Sequence, residues 1–251
     1  MLPFPHSQRG LPAQRRQQPG FSLIELLTVI SVIAVLALLV IVGAGKVRNT
    51  AMKSRASADM RQMGTAVLTF ANEHNNTLPG PSGLGLVSYY DHRSPYPKDT
   101  NLAACLAPYL SPPTLSATMN GNNVFVAELI CPAAAAQTDL SNGSLPPPYY
   151  VQNYTLPIPR GRIFGAQQWG KSESTNGWML SRIQELGNDA DIWMITNLDQ
   201  KLTSDMPTSN GGSVSSSGWF SNLPKEPVWG ATRLRLYLDG HVGEVPRDAD
   251  P

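Results

Sequence analysis

Few residues of this chain stand at spacings that suggest chemistry. The four histidines are His6, His74, His92 and His241. No two of them have the spacing of zinc ligands, and no His-Glu-x-x-His sequence occurs. The segment 43–46 departs from a phosphate-binding loop, because Val40 replaces the first glycine and no Ser or Thr follows Lys46. No Gly-x-Ser-x-Gly elbow occurs either. The sequence therefore predicts a protein that is not an enzyme and holds no cofactor.

Carboxylates and amides in the C-terminal half raise the separate question of calcium. Oxygen ligands at loop-like positions are offered by Asn188, Asp189, Asp191, Asp199 and Asp205. The same residue types are ordinary turn formers. The sequence leaves calcium binding open, and we predict no metal site.

Glu25 is the one charged residue in the apolar run from Phe21 to Gly45. Residues Leu26–Gly45 are twenty consecutive uncharged positions, and a helix rising ~1.5 Å per residue would cross the ~30 Å hydrocarbon layer over that length. The run exceeds the ~7–15 apolar residues of a signal peptide, although a plain membrane anchor stays open. A carboxylate in such a helix is costly unless it is paired, so we expect Glu25 to have a partner.

The sequence Gly20-Phe21-Ser22-Leu23-Ile24-Glu25 resembles the prepilin processing site of type IV pilins and type II secretion pseudopilins. The resemblance implies that prepilin peptidase cuts after Gly20 and N-methylates Phe21. It also implies that Glu25, as the fifth mature residue, offsets the terminal amine of a neighbouring subunit during assembly. Glycine suits the cut because it has no side chain. The implied partners are prepilin peptidase, other pilin or pseudopilin subunits, the inner-membrane assembly platform and the membrane itself.

Charge is distributed unevenly between the leader and the remainder. Residues 1–20 contain three arginines and no acid, and the rest of the chain has 16 basic and 18 acidic residues. A body so close to neutral predicts no nucleic-acid partner, which would require a clustered basic face. Basic residues also follow the apolar run, so the positive-inside rule does not orient it. The resemblance implies a bacterial inner-membrane protein with one span, whose head lies in the periplasm or on a cell-surface filament.

An apolar stripe continues beyond the apolar run. Spacings of four, three, four and three residues relate Ala56, Met60, Met63, Val67 and Phe70. This is the period of one helix face, and the residues 75–80, Asn-Asn-Thr-Leu-Pro-Gly, would end the helix. We predict a continuous helix from about Ser22 to about Glu73. The expected organisation is a cleaved leader (1–20), a transmembrane helix (21–45), a helix continuation that packs on the head (46–77) and a pilin-like globular head (78–251).

The head is predicted to be loop-rich, which with the long helix gives an α+β fold containing a small antiparallel sheet. Proline clusters forbid long regular elements between Leu78 and Pro159. We expect strands near Asn123–Ile130 and Asp191–Thr196, and a flexible loop at Ser209–Gly218. Cys105 and Cys131 form either one disulfide or two buried thiols, and the sequence leaves both open.

A β-hairpin is predicted at the C-terminal end. Arg233–Leu238 alternates with period two, and Asp239-Gly240 is a two-residue turn signal. That turn would place Arg235 opposite Glu244. This end also resembles a bacterial pilin-like family with a His-x9-Asp-Gly signature, but Trp229 stands where the histidine is expected. We therefore transfer no site from that family.

The sequence is consistent with two functions. The first is a structural subunit of a type IV pilus-like filament or of a type II secretion pseudopilus, and the sequence does not separate these. The alternative is a minor or membrane-anchored pilin-like module whose head binds an extracellular ligand. Candidate aromatics for such binding are Tyr89, Tyr90, Tyr149, Tyr150, Trp169 and Trp219, although core packing is the commoner role of such residues.

Overall fold

The computed structural model describes residues 21–80, 89–91, 102–110, 114–115, 123–137, 149–151, 163–165, 177–203 and 220–249. The chain divides into two compact units, residues 1–47 and 48–251. The described helices and strands are α1 (Leu23–Glu73), β1 (Tyr89–Asp91), α2 (Leu102–Leu106), β2 (Thr114–Leu115), β3 (Asn123–Phe125), α3 (Pro132–Ala135), β4 (Tyr149–Val151), α4 (Leu180–Gln184), β5 (Trp193–Asn197), α5 (Gln200–Thr203), β6 (Thr232–Tyr237) and β7 (Val242–Pro246). A long apolar helix followed by an antiparallel head confirms the α+β prediction. The predicted leader (1–20) and the loop Ser209–Gly218 lie outside the described residues.

The first unit consists, as far as it is described, of the apolar half of α1. Its large side chains between Phe21 and Val40 are exposed, for example Leu36 at 57%. A helix with this length and composition is able to cross a membrane. The exposed apolar surface is far more than a soluble protein leaves uncovered, which agrees with the predicted span.

The C-terminal end of α1 is set by two asparagines. Asn75 and Asn76 adopt left-handed backbone angles, with φ of 55° and 58°. Asparagine tolerates this region better than most residues, and the Asn76 N–H donates to the Ala71 carbonyl at 2.8 Å. The predicted end of the helix near Glu73 is confirmed.

The second unit buries the predicted stripe of α1. Ala56, Met60, Met63 and Val67 are each 0% exposed, and Phe70 is half-buried. The four fully buried residues belong to the main core together with residues of the head. This burial is the reason why the helix keeps its apolar period after the charged residues that follow the span.

Two antiparallel sheets, together with short helices and turns, make up the rest of the second unit in the described segments. One has the strand order β1-β3-β2, and the other has the order β4-β5-β6-β7. The larger sheet is covered on both faces near β6. Leu234 and Leu236 join the core against α1, while Trp193, Leu198, Leu202 and Leu223 form a second apolar cluster.

Two strands differ from their predicted extents. The segment predicted as a strand at Asn123–Ile130 forms a strand only over β3, and Ala127–Leu129 is a 3₁₀ turn. The strand predicted at Asp191–Thr196 is observed as β5, displaced toward the C-terminus. Such boundaries depend on pairing partners that a local pattern does not contain.

The predicted register of the C-terminal hairpin is wrong by one residue. Arg235 lies opposite Gly243, and Glu244 lies opposite Leu234. The expected Arg235–Glu244 pair is therefore absent. Arg235 is instead buried at 7% exposure, with its guanidinium carbon 4.8 Å from the centroid of the Trp193 ring.

The hairpin loop contains three residues rather than two. The Tyr237 N–H donates to the His241 carbonyl at 2.9 Å, and the Gly240 N–H donates to the Tyr237 carbonyl at 2.9 Å. Gly240 has a φ of 87°, while Asp239 is not among the residues with positive φ. This is a type I turn followed by a glycine bulge, whereas a two-residue type I′ turn would need positive φ at both positions.

Tertiary contacts explain why the hairpin adopts this register. Leu238 is 2% exposed, and its N–H donates to the Ile192 carbonyl at 2.8 Å, so the core holds it inside the loop. The Glu244 carboxylate lies 2.7 Å from Lys53 Nζ of α1 and accepts a bond from Thr232 Oγ1 at 3.4 Å. Glu244 therefore connects the hairpin to the helix.

Candidate processing and assembly site

The N-terminus of α1 is closed by a reciprocal cap. The backbone N–H of Ser22 donates to Glu25 Oε2 at 2.8 Å, and the N–H of Ile24 donates to Ser22 Oγ at 3.4 Å. The Ser22 carbonyl accepts the first helical bond, from the Leu26 N–H at 3.2 Å. Ser22 is thus the N-cap and Glu25 the third helical residue of a capping box.

This cap was missed in the functional reading of the sequence. The pattern Ser-x-x-Glu before an apolar run is the known signal of a capping box, and it occurs at residues 22–25. The expected partner of Glu25 was the amine of another subunit. The structure gives the carboxylate a partner within its own chain, so its charge is hydrogen-bonded before any neighbour is present.

The residue that follows the expected cleavage junction lies outside the helix. Phe21 is 86% exposed and precedes the first helical residue, Leu23. Gly20 itself lies outside the described residues. A scissile peptide next to a helix start is easier to accept in an extended conformation than one inside a helix, because helical backbone groups are already paired.

Hydroxyl groups within the apolar half of α1 are satisfied by the helix itself. Thr28 Oγ1 donates to the Glu25 carbonyl at 2.9 Å, and Ser31 Oγ donates to the Leu27 carbonyl at 2.8 Å. Internal satisfaction of polar groups is what the bilayer interior requires. These two side chains are therefore compatible with a span.

Residues 15–41 match the family described as the prokaryotic N-terminal methylation motif. The chain is pilin-like in this segment. The match contains the expected junction, the capping box and the first part of the apolar helix, and it implies processing by prepilin peptidase. No curated protein and no solved structure matches the chain.

The two cysteines are both buried thiols in the structure, with no bond between them. Burial raises the pKa of Cys131 to about 11, although neighbouring hydrogen bonds, including one from Asn197 Nδ2 at 3.5 Å, act in the opposite direction. A thiol with so high a pKa is a weak nucleophile. The Cys105–Cys131 disulfide, which the sequence left open, stays a prediction.

Trp229, at the position expected for the signature histidine, is part of a structural network. Its Nε1–H donates to Asn197 Oδ1 at 3.0 Å, and the same oxygen accepts the Leu234 N–H at 3.0 Å. Asn197 is 2% exposed. The indole therefore fixes the buried amide that connects β5 to β6.

Two of the oxygen ligands considered for calcium have hydrogen-bond partners within the chain. Asp199 accepts two bonds from the Arg233 guanidinium, and Asp189 accepts one from Gln184 Nε2 at 3.0 Å. Asp205 lies outside the described segments. Among the residues that the structure describes, no group of three or more His, Cys, Asp or Glu side chains is placed to hold a metal ion.

Proposed function

We propose that the chain is a structural subunit of a type IV pilus-like filament or a type II secretion pseudopilus. In this proposal prepilin peptidase cleaves after Gly20 and methylates Phe21, α1 anchors the subunit in the bacterial inner membrane, and the head remains in the periplasm or on the filament. No turnover of a substrate is expected. The observation that carries the proposal is the match of residues 15–41 to the methylation motif, and the capped, exposed apolar helix supports it.

The proposed organisation follows the same boundaries as the sequence predicts. Residues 21–45 would occupy the membrane and later a bundle of subunit helices, while 46–77 and the head from 78 to 251 would remain outside the bilayer. Each exposed apolar side chain of α1 then has either lipid or a neighbouring helix to contact.

Processing is tested by intact-mass analysis of the full chain expressed with and without a prepilin peptidase. The expected product lacks residues 1–20 and carries one added methyl group on Phe21. Gly20→Val should block cleavage because the new side chain obstructs the scissile backbone. Gly10→Val, in the same leader, should be processed normally. A leader retained in the presence of the peptidase would contradict the proposal.

Assembly is tested at Glu25 with two substitutions that separate its charge from its hydrogen bond. Glu25→Ala removes both, whereas Glu25→Gln keeps an acceptor for the Ser22 N–H. If the charge neutralises a neighbour's amine, both variants should be cleaved but incorporated poorly into sheared filaments. Glu185→Ala, a head variant, is the control. Normal incorporation of Glu25→Gln would show that the cap, and not the charge, is what matters.

A further inference from the structure

Two acids are buried where α1 meets the head. Asp59 lies on α1 between the stripe residues Ala56 and Met60 and is only 9% exposed. Glu128 lies in the 3₁₀ turn Ala127–Leu129 and is 5% exposed. Both belong to the second unit, residues 48–251. Acidic side chains are rarely buried without a compensating partner, so the buried carboxylate of Asp59 requires an explanation.

The charge of the Asp59 carboxylate is only weakly compensated by other groups in the described part of the chain. Its Oδ2 is buried and accepts no hydrogen bond there. Arg55 Nε lies 3.8 Å from this oxygen, but the Arg55 side chain is 67% exposed. A solvated guanidinium at that distance contributes little to a carboxylate. The buried face of α1 thus contains one polar residue, Asp59, whose carboxylate the packed side chains do not satisfy.

The charged groups near Asp59 act in opposite directions on its ionisation. Arg55, on α1, favours the charged form, and the Glu128 carboxylate opposes it. The Cys131 thiol lies near the same place, since the Asp59 charge contributes to raising the pKa of Cys131. Two carboxylates and a thiol in one apolar region are not all ionised cheaply.

We propose that packing of α1 onto the head takes up a proton at Asp59, beside Glu128, so that this contact tightens in acid and loosens toward neutral pH. Burial, followed by the opposing effects of Arg55 and Glu128, raises the pKa of Asp59 from 3.8 to about 6. An acid whose pKa is higher in the folded state binds more protons there than in the unfolded state. Stability contributed by this group is present below pH 3.8 and is lost as the pH rises through 6.

The direction of this linkage is opposite to that of most carboxylates, which stabilise proteins when they are charged. This pH-dependent packing is independent of the proposed function, because it requires only α1 and the head of one subunit. In an assembled subunit it would make the rigidity of the joint between helix and head depend on the acidity of the surrounding compartment.

The test is urea unfolding of the full chain in detergent, followed by the fluorescence of the tryptophans, which all lie in the head. Between pH 4 and pH 7.5 the unfolding constant of the unchanged chain should rise by roughly 60-fold from Asp59, given the shift of its pKa from 3.8 to about 6. Asp59→Asn should remove most of that dependence and should be more stable than the unchanged chain at pH 7.5. Glu128→Gln should flatten the dependence in the same direction.

Asp191→Asn is the matched control, because Asp191 is an exposed carboxylate of the same unit and should keep the full pH dependence. An infrared difference spectrum of the unchanged chain between pH 5 and pH 7.5 gives a readout that requires no variant to fold. It should show the carbonyl band of a protonated carboxyl that disappears at pH 7.5. Parallel pH profiles for Asp59→Asn and the unchanged chain, or the lack of that band, would overturn the proposal.

Discussion

The buried pair Arg233–Asp199 offers a severe test of how the head is held together. Both side chains are 1% exposed, and Arg233 Nε lies 2.7 Å from Asp199 Oδ2. A second bond joins Arg233 Nη2 to Asp199 Oδ1 at 3.0 Å. The remaining Nη1 donates to the Arg247 carbonyl, so β6, the start of α5 and the segment after β7 meet at one guanidinium. We consider Asp199→Ala.

Removing the carboxylate should cost far more than a surface pair would. A buried charge that loses its partner destabilises a protein by about 3–5 kcal/mol. Asp199 Oδ1 also accepts the Leu202 N–H at 2.8 Å, a helix cap worth about 1 kcal/mol. The two effects share one side chain and overlap, so we expect a loss of about 4 kcal/mol for Asp199→Ala.

A double variant separates the pair from its surroundings. Arg233→Met combined with Asp199→Leu removes both charges and fills the space with apolar side chains, and such replacements are often neutral or stabilising. The double variant should therefore be at least about 2 kcal/mol more stable than Asp199→Ala. Urea unfolding followed by tryptophan fluorescence gives these differences.

The exposed contact between Lys201 and Asp248 is the control. Its side chains are 40% and 71% exposed, and solvent screens such pairs, so Asp248→Ala should leave the unfolding midpoint nearly unchanged. If Asp199→Ala lost as little as this control, or if the double variant were no more stable than Asp199→Ala, the reasoning from burial would be refuted.

Two further substitutions test the packing of the second unit by the same urea assay. Gly177→Ala would place its Cβ 2.0 Å from the Leu78 carbonyl oxygen, whereas Gly187→Ala meets nothing within 4 Å. The first should lose at least about 2 kcal/mol and the second should stay within about 0.5 kcal/mol of the unchanged chain, so equal midpoints would contradict the close approach. Met60→Ala should lose about 2–5 kcal/mol of unfolding free energy because Met60 is 0% exposed. Arg61→Ala, at an exposed position, should lose almost none. A small loss at Met60 would count against burial of the stripe.

The long helix was predictable because its signals are local. An uninterrupted apolar run, a stripe with spacings of three and four, and the pair Asn75-Asn76 fix its course and its end. The capping box at Ser22 and Glu25 is equally local and was available to the same reasoning.

The hairpin register was not predictable from its own residues. Asp239-Gly240 is compatible with a two-residue turn and with a three-residue loop. The choice between them is made by the burial of Leu238 and by the contact of Glu244 with Lys53, which is distant in sequence. A shift of one residue exchanges every cross-strand pair, so a contact outside the hairpin decides which partners Arg235 and Glu244 have.

Trp229 shows how such long-range contacts limit the reading of a motif. In the sequence, Trp229 stands where the related signature has a histidine, which suggests only that a functional side chain is lost. In the folded head the indole N–H is used by Asn197, which also accepts the N–H of Leu234. Replacing Trp229 would leave a buried amide oxygen with one donor fewer, a loss that burial makes costly. The position therefore carries a structural hydrogen bond in this chain, and the support for the proposed function comes from the other end, where residues 15–41 match the methylation motif.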